Sequence, residues 1–194
     1  DPDTAHKRET LMALLWPGMP DSSARTNLRQ VLFHLRKAIP DFMVEETAVS
    51  PPITNRHTIQ LNPEAPLRID AVQFESLLQQ TQVHSHLNLL TCTDCHENLL
   101  TATALYTGSF LANFYLEDSD DFQEWAEIKR QSYQRKILDA LETLTAIGLH
   151  QQAYAEARLH AERQLEIDGL REKAYRQLME ILARNGQQNE ALAV

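Results

Sequence analysis

RETLMALLWPGMPDSSARTNLRQVLFHLRKAI, residues 8–39, reads as two amphipathic helices joined by a short Pro/Gly turn. In the second helix Leu28, Val31, Leu32, Leu35, Ala38 and Ile39 recur at three- and four-residue steps, which predicts one buried apolar stripe. Thr26, Arg29, Gln30, Phe33 and Lys37 point away from that stripe, with Arg25 and Arg36 near its edges. Arg, Gln and Lys on an outward helix face are the groups that read base edges and phosphates in a major groove. On an isolated helix the same groups are commonly plain solvated charge. The segment C-terminal to the helix decides between the two. After Pro40, the run MVEETAV, the pair Pro51-Pro52 and ITNRHTIQLNP read as short strands around a hairpin. Helix, turn, helix and β-wing in that order predict a winged helix, with Arg56 in the wing.

The run LLWPGMPDSSARTNLRQVLFHLRKAI, the hairpin segment HTIQLNPEAPLRIDAVQFESLL and the stretch LYTGSFLANFYLEDSDDFQEW carry a family resemblance. They resemble bacterial transcriptional regulators with a bacterial transcriptional activator domain, and are similar to the Streptomyces antibiotic regulatory protein group. The resemblance spans nearly the whole chain in the family's order. It implies a winged-helix module followed by an all-helical, tetratricopeptide-like domain. The family's winged helix opens with a small sheet and a first helix, whereas only Asp1 to Arg8 precede the family's second helix here. The expected fold is therefore mainly α: the C-terminal part of a winged helix-turn-helix with a small β-wing over 1–69, its first strands and helix missing, then a tetratricopeptide-like domain over 70–194.

Charge is divided between those halves. The net charge is −9, but residues 1–69 hold eight Lys/Arg against eight Asp/Glu, and residues 70–194 hold ten against nineteen. An acidic surface repels phosphate, so DNA contact is expected through residues 1–69. No apolar run approaches the ~18 residues that span a bilayer. With two cysteines and no export signal, a reducing, cytoplasmic setting is expected and no membrane partner.

The boundary falls at NPEAPLRID, residues 62–70, where two prolines interrupt helix and Asp70 stands at an N-cap position. Helices are expected from Asp70, from Asp94 or Cys95 to Tyr106, and from Ser119 or Asp120 towards Gly148, with YTGSFLANFYLED as an irregular strap. Glu117, Asp118, Asp120 and Asp121 suit the positive end of the long helix better than a metal or hydrolytic site. In the last third, ALETLTAIGLHQQAYAEA (140–157) aligns with AYRQLMEILARNGQQNEA (174–191) at Ala140/Ala174, Leu144/Leu178, Ile147/Ile181, Glu156/Glu190 and Ala157/Ala191. The offset of 34 residues is the tetratricopeptide period. Such arrays bind partners, and the apolar Ala191, Leu192 and Val194 at the end of the array lead us to expect a homodimer through 70–194.

CTDCH, residues 92–96, has the Cys-x-x-Cys-His spacing of c-type haem attachment, a remote reading without an export signal. A structural zinc site from His84, His86, Cys92 and Cys95 is the more credible cofactor, although the spacing of the histidines is atypical and His96 offers a substitute. Free thiols at a helix start with solvated histidines are the ordinary alternative. No catalytic motif is present, so no enzyme is expected. The leading function is a DNA-binding transcriptional regulator that contacts DNA through Arg25, Thr26, Arg29, Gln30, Phe33, Arg36, Lys37 and Arg56. The other is a protein-interaction scaffold whose winged helix does not bind DNA.

Overall fold

A computed structural model describes residues 4–194. The elements are β1 (His6–Lys7), α1 (Arg8–Leu15), α2 (Asp21–Ala38), β2 (Phe42–Val44), β3 (Thr47–Val49), β4 (Pro52–Thr54) and β5 (Thr58–Leu61), followed by α3 (Asp70–Val83), α4 (Thr93–Leu105), α5 (Asp120–His150), α6 (Tyr154–Ile167), α7 (Glu172–Arg184) and α8 (Gln188–Ala193). Two compact units result. The first holds the chain up to Val72 together with Leu111–Lys129, and the second holds Gln73–Phe110 and Arg130–Val194. The opening segment of the first unit thus ends close to the Pro-rich boundary, and the strap with the start of α5 returns to that unit.

In the first unit, Gly18 (φ +78°) turns the chain between α1 and α2, and Pro20 precedes Asp21, whose carboxylate sits in the first turn of α2. Met12, Ala24, Leu28 and Leu32 form the core, with Trp16 and Ile59 packed against it. The apolar stripe of α2 is only partly buried: Val31 and Leu35 stay 46% and 37% exposed, and Ala38 is exposed as well. Length explains this correction. The 8 residues of α1 cover about 12 Å, whereas the 18 of α2 run about 27 Å. A three-stranded antiparallel sheet in the order β1-β5-β4 pairs His6 with Ile59 and Pro52 with Leu61. β2 and β3 form a separate hairpin, closed by Glu45 and Glu46, both at positive φ. Ser119 caps α5: its hydroxyl accepts from Phe122 N at 3.2 Å while donating to the Leu14 carbonyl at 2.6 Å.

The second unit is helical. Phe74 stands against Tyr106 and Tyr133, with Phe110 also on Tyr133, and Leu99, Ala140, Leu144 and Ile147 form an adjoining core with Leu78 and Leu90. Arg163 on α6 donates to the Thr103 and Tyr106 carbonyls at 2.9 and 2.7 Å, which satisfies the C-terminal end of α4. Gln164, wholly buried, donates to Thr145 Oγ1 and Gln177 Oε1.

The aligned segments repeat in backbone geometry as well as sequence. Gln151 N donates to Ile147 O and Ala153 N to Gly148 O; 34 residues on, Asn185 N donates to Ile181 O and Gln187 N to Leu182 O. Both turns need a left-handed residue, Gln152 (φ 60°) in the first and Gly186 (φ 80°) in the second. A left-handed glutamine carries a steric cost that glycine avoids. Replacing Gln152 by Gly is therefore expected to raise stability by about 0.5–1 kcal/mol, and Gly186→Ala to lower it by a similar amount, in a denaturant titration.

At Gly148 the backbone of α5 meets α6 so closely that an added Cβ would lie 2.9 Å from Ala157 Cβ and 3.2 Å from its main chain. Neither atom belongs to a flexible side-chain end. Gly148→Ala should lower stability by about 1–2 kcal/mol, the overlap outweighing the gain in helix propensity. Gly108→Ala, with nothing within 4 Å of the new methyl, should leave the thermal midpoint nearly unchanged.

Candidate functional site

Among the described residues, chemistry-bearing side chains come together in each unit. In the first unit a concavity of about 390 Å³ is lined by Arg8, Arg25, Arg29, Arg56 and His57, with Glu9 as its acidic member and Met12 and Leu28 among its walls. Its construction follows from the sheet. β1 pairs with β5, which places Arg8 at the start of α1 beside the 55–58 turn. Arg8 N donates to His57 O at 2.9 Å and Arg8 Nε to Asn55 O at 3.0 Å. The Asn55 carboxamide oxygen accepts from the backbone N–H of His57 and Thr58, which holds the turn and so the position of Arg56. Arg25 and Arg29, one helical turn apart on α2, face the same space.

Of the eight side chains expected to meet DNA, Arg25, Arg29 and Arg56 converge on this concavity. Thr26, Gln30, Phe33 and Lys37 stand exposed on α2 outside it. Phe33, 63% exposed, makes an edge contact with His34, and the Thr26 hydroxyl donates to Ser22 O. Arg36 is tied to the sheet by a hydrogen bond from Nη2 to Thr54 Oγ1, so it braces α2 against β4. Arg8 and His57 are the members that spacing along the helix did not reveal. Their signal lies in the pairing of β1 with β5, and a two-residue strand leaves no periodicity to read.

In the second unit the ligand atoms of His84, His86, Cys92 and Cys95 all lie within 4.8 Å of one another. His84 follows α3, Cys92 precedes α4 and Cys95 lies in the first turn of α4. The loop between is set by Asn88, whose side chain accepts from Leu90 N at 2.9 Å and whose carbonyl accepts from Thr91. Cys95 Sγ is 3.1 Å from His84 Nδ1 and 3.7 Å from His86 Nδ1, and Cys92 Sγ is 3.5 Å from His84 Nδ1. Burial, and after it the hydrogen bond and charge of Cys92, push the Cys95 thiol up to about 11. His96 is not in the cluster. Elsewhere, the pKa of His160 is lowered chiefly by burial, with Glu156 opposing and His96 and Arg163 adding to the lowering. Cys95 has no exposed surface and faces imidazoles, which leaves the haem-attachment reading of residues 92–96 without an accessible second sulfur.

Among the described residues no helix is long and apolar enough to cross a membrane. Comparison with curated proteins finds no match. The model of the bacterial transcriptional activator domain, a regulatory rather than an enzymatic family, matches residues 69–194, well over half of the sequence. On that match the chain belongs to the bacterial transcriptional activator domain family.

Proposed function

We propose that this protein is a DNA-binding transcriptional regulator acting in the cytoplasm, in which the first unit is a winged helix-turn-helix and the tetratricopeptide-like helical part mediates self-association or receives a signal. The observation that carries the reading is the meeting of Arg8, Arg25, Arg29, Arg56 and His57 from three separate segments in one concavity. A phosphate oxygen accepts hydrogen bonds from guanidinium groups in a forked geometry, and several arginines around one hollow favour a polyanion over a single carboxylate. On this reading α2 enters the major groove with Arg29 and Gln30 towards base edges. Lys37 and Arg56 meet phosphate, and Arg36 acts by holding α2 to the wing.

A second reading, a protein-interaction scaffold without DNA binding, draws on the charge of the first unit. Residues 111–129 bring Glu117, Asp118, Asp120, Asp121, Glu124 and Glu127 to it against Lys129. That surplus opposes non-specific attraction to DNA, so binding must come from the arginine-lined face and fall steeply with salt.

In a full-length protein on its own operator, Arg29→Ala should cost about 1–3 kcal/mol and relax preference at the base pair it contacts. Arg56→Ala should weaken binding evenly across sequences and lower the salt slope by about one. Unchanged operator affinity in the Arg29→Ala, Gln30→Ala double variant would leave the scaffold reading in possession. Self-association through the helical part is expected to appear in light scattering as a mass that rises with protein concentration. A mass fixed at one chain would remove it.

A further inference from the structure

The geometry points to a structural zinc site in the loop between α3 and α4, with His84, His86, Cys92 and Cys95 as its four ligands. This assignment stands apart from the DNA-binding proposal and rests on different residues. Zinc in a structural site takes four N or S donors in a tetrahedron, with no geometric preference from its filled d shell. With Zn–N and Zn–S bonds of about 2.0 and 2.3 Å, the edges of such a tetrahedron are about 3.3–3.8 Å. Two of the sulfur–nitrogen separations, 3.5 and 3.7 Å, fall within that range and the third, 3.1 Å, lies just below it, with all four donors within 4.8 Å of one another.

Hydrogen bonds can satisfy Cys95, whose thiol donates to the Thr81 carbonyl at 3.9 Å and whose sulfur accepts from Nδ1 of His84 and of His86, but Nδ1 of His84 must then serve both sulfurs. A shared cation lets all four donors direct lone pairs to one point. His84 turns Nδ1 to both sulfurs, which leaves Nε2 facing Asp94 Oδ2 at 3.9 Å. At that distance, and with its carboxylate largely exposed, Asp94 acts on His84 through charge and not through a hydrogen bond. Two thiolates with two imidazoles and no carboxylate among the donors suit zinc rather than magnesium or calcium, and a structural rather than a catalytic role.

Apolar burial does little to hold the midpoint of this loop. Val83 and Leu87 are 74% and 109% exposed, and His86 between them is exposed as well. A metal would bind the end of α3 to the first turn of α4 across that gap and contribute its binding energy to the fold.

The test is metal content followed by cobalt substitution in the whole chain. Protein purified without chelator should carry one zinc per chain. The reduced apoprotein given Co(II) alone should develop the ligand-field spectrum of a tetrahedral S2N2 centre, which zinc then bleaches. Cys92→Ser and Cys95→Ser should each lose the zinc and the thiolate-to-cobalt absorption. Because Cys95 is buried and its variant is at risk of misfolding, the exposed His86→Ala provides a second reading, with cobalt affinity expected to fall by at least tenfold. Asp94→Asn, which removes only a screened charge contact, should weaken binding by no more than about fivefold while retaining the spectrum. His96→Ala should retain both stoichiometry and spectrum. Protein that carries almost no zinc and gives no tetrahedral cobalt bands overturns the assignment. So does full retention of zinc by the Cys92→Ser, Cys95→Ser double variant.

Discussion

The bare backbone of Gly148 against Ala157 sets how closely α5 and α6 lie, and the second unit is organised around that approach. Ala140, Ala157, Ala161 and Ala174 are buried as well, with Ala140 in one core cluster and Ala157 and Ala161 in another. Larger residues then fill the space to either side: Leu144 and Ile147 in one layer, Leu178, Ile181 and Leu182 in the next. Close packing of this kind leaves little room for adjustment, since interiors at crystal-like density transmit a misfit instead of absorbing it. It also explains why Gln164 is tolerated with no exposed surface. Its amide nitrogen reaches Thr145 and Gln177 because the helices that carry them are near, while its Oε1 stays buried without a hydrogen-bond partner among the described residues.

Much of this was legible in the sequence, for physical reasons that differ from place to place. The 34-residue period survives in sequence because each copy must meet the same neighbour, which restricts Ala140 and Ala174 or Ile147 and Ile181 to similar volumes. The two-helix run of residues 8–39 is visible because amphipathic spacing extends over several turns. The exposure of Val31 and Leu35 was not visible, because periodicity states which face is apolar and not how far a partner reaches along it. β1 is two residues long and owes its existence to β5, so nothing local announces it. The hydrogen bond from Arg36 to Thr54 likewise joins residues 18 apart and depends on where the sheet lies.

The sites differ in the same way. A Cys-x-x-Cys pair with two nearby histidines can be noticed in a linear sequence, but which of three histidines takes part depends on the course of the loop. Asn88 settles that course by closing a tight turn ahead of Cys92, and His96, one residue past Cys95 on α4, stays outside the cluster. In the first unit the arginines of α2 stand out by spacing, whereas Arg8 and His57 join them only through the strand pairing.

The matched turns at Gln152 and Gly186 have a consequence for how such a chain can change length. An α-helix rotates about 100° per residue, so inserting a few residues into α6 or α7 would swing every downstream buried side chain off its layer. Adding or removing one whole 34-residue period keeps the hydrogen bonds of both turns in phase and presents the same alanine-lined face to the next pair. The array is thus quantised: it can lengthen or shorten by complete helical hairpins, because even an insertion of about seven residues, which nearly restores the rotation, shifts the helix by about 10 Å along its axis.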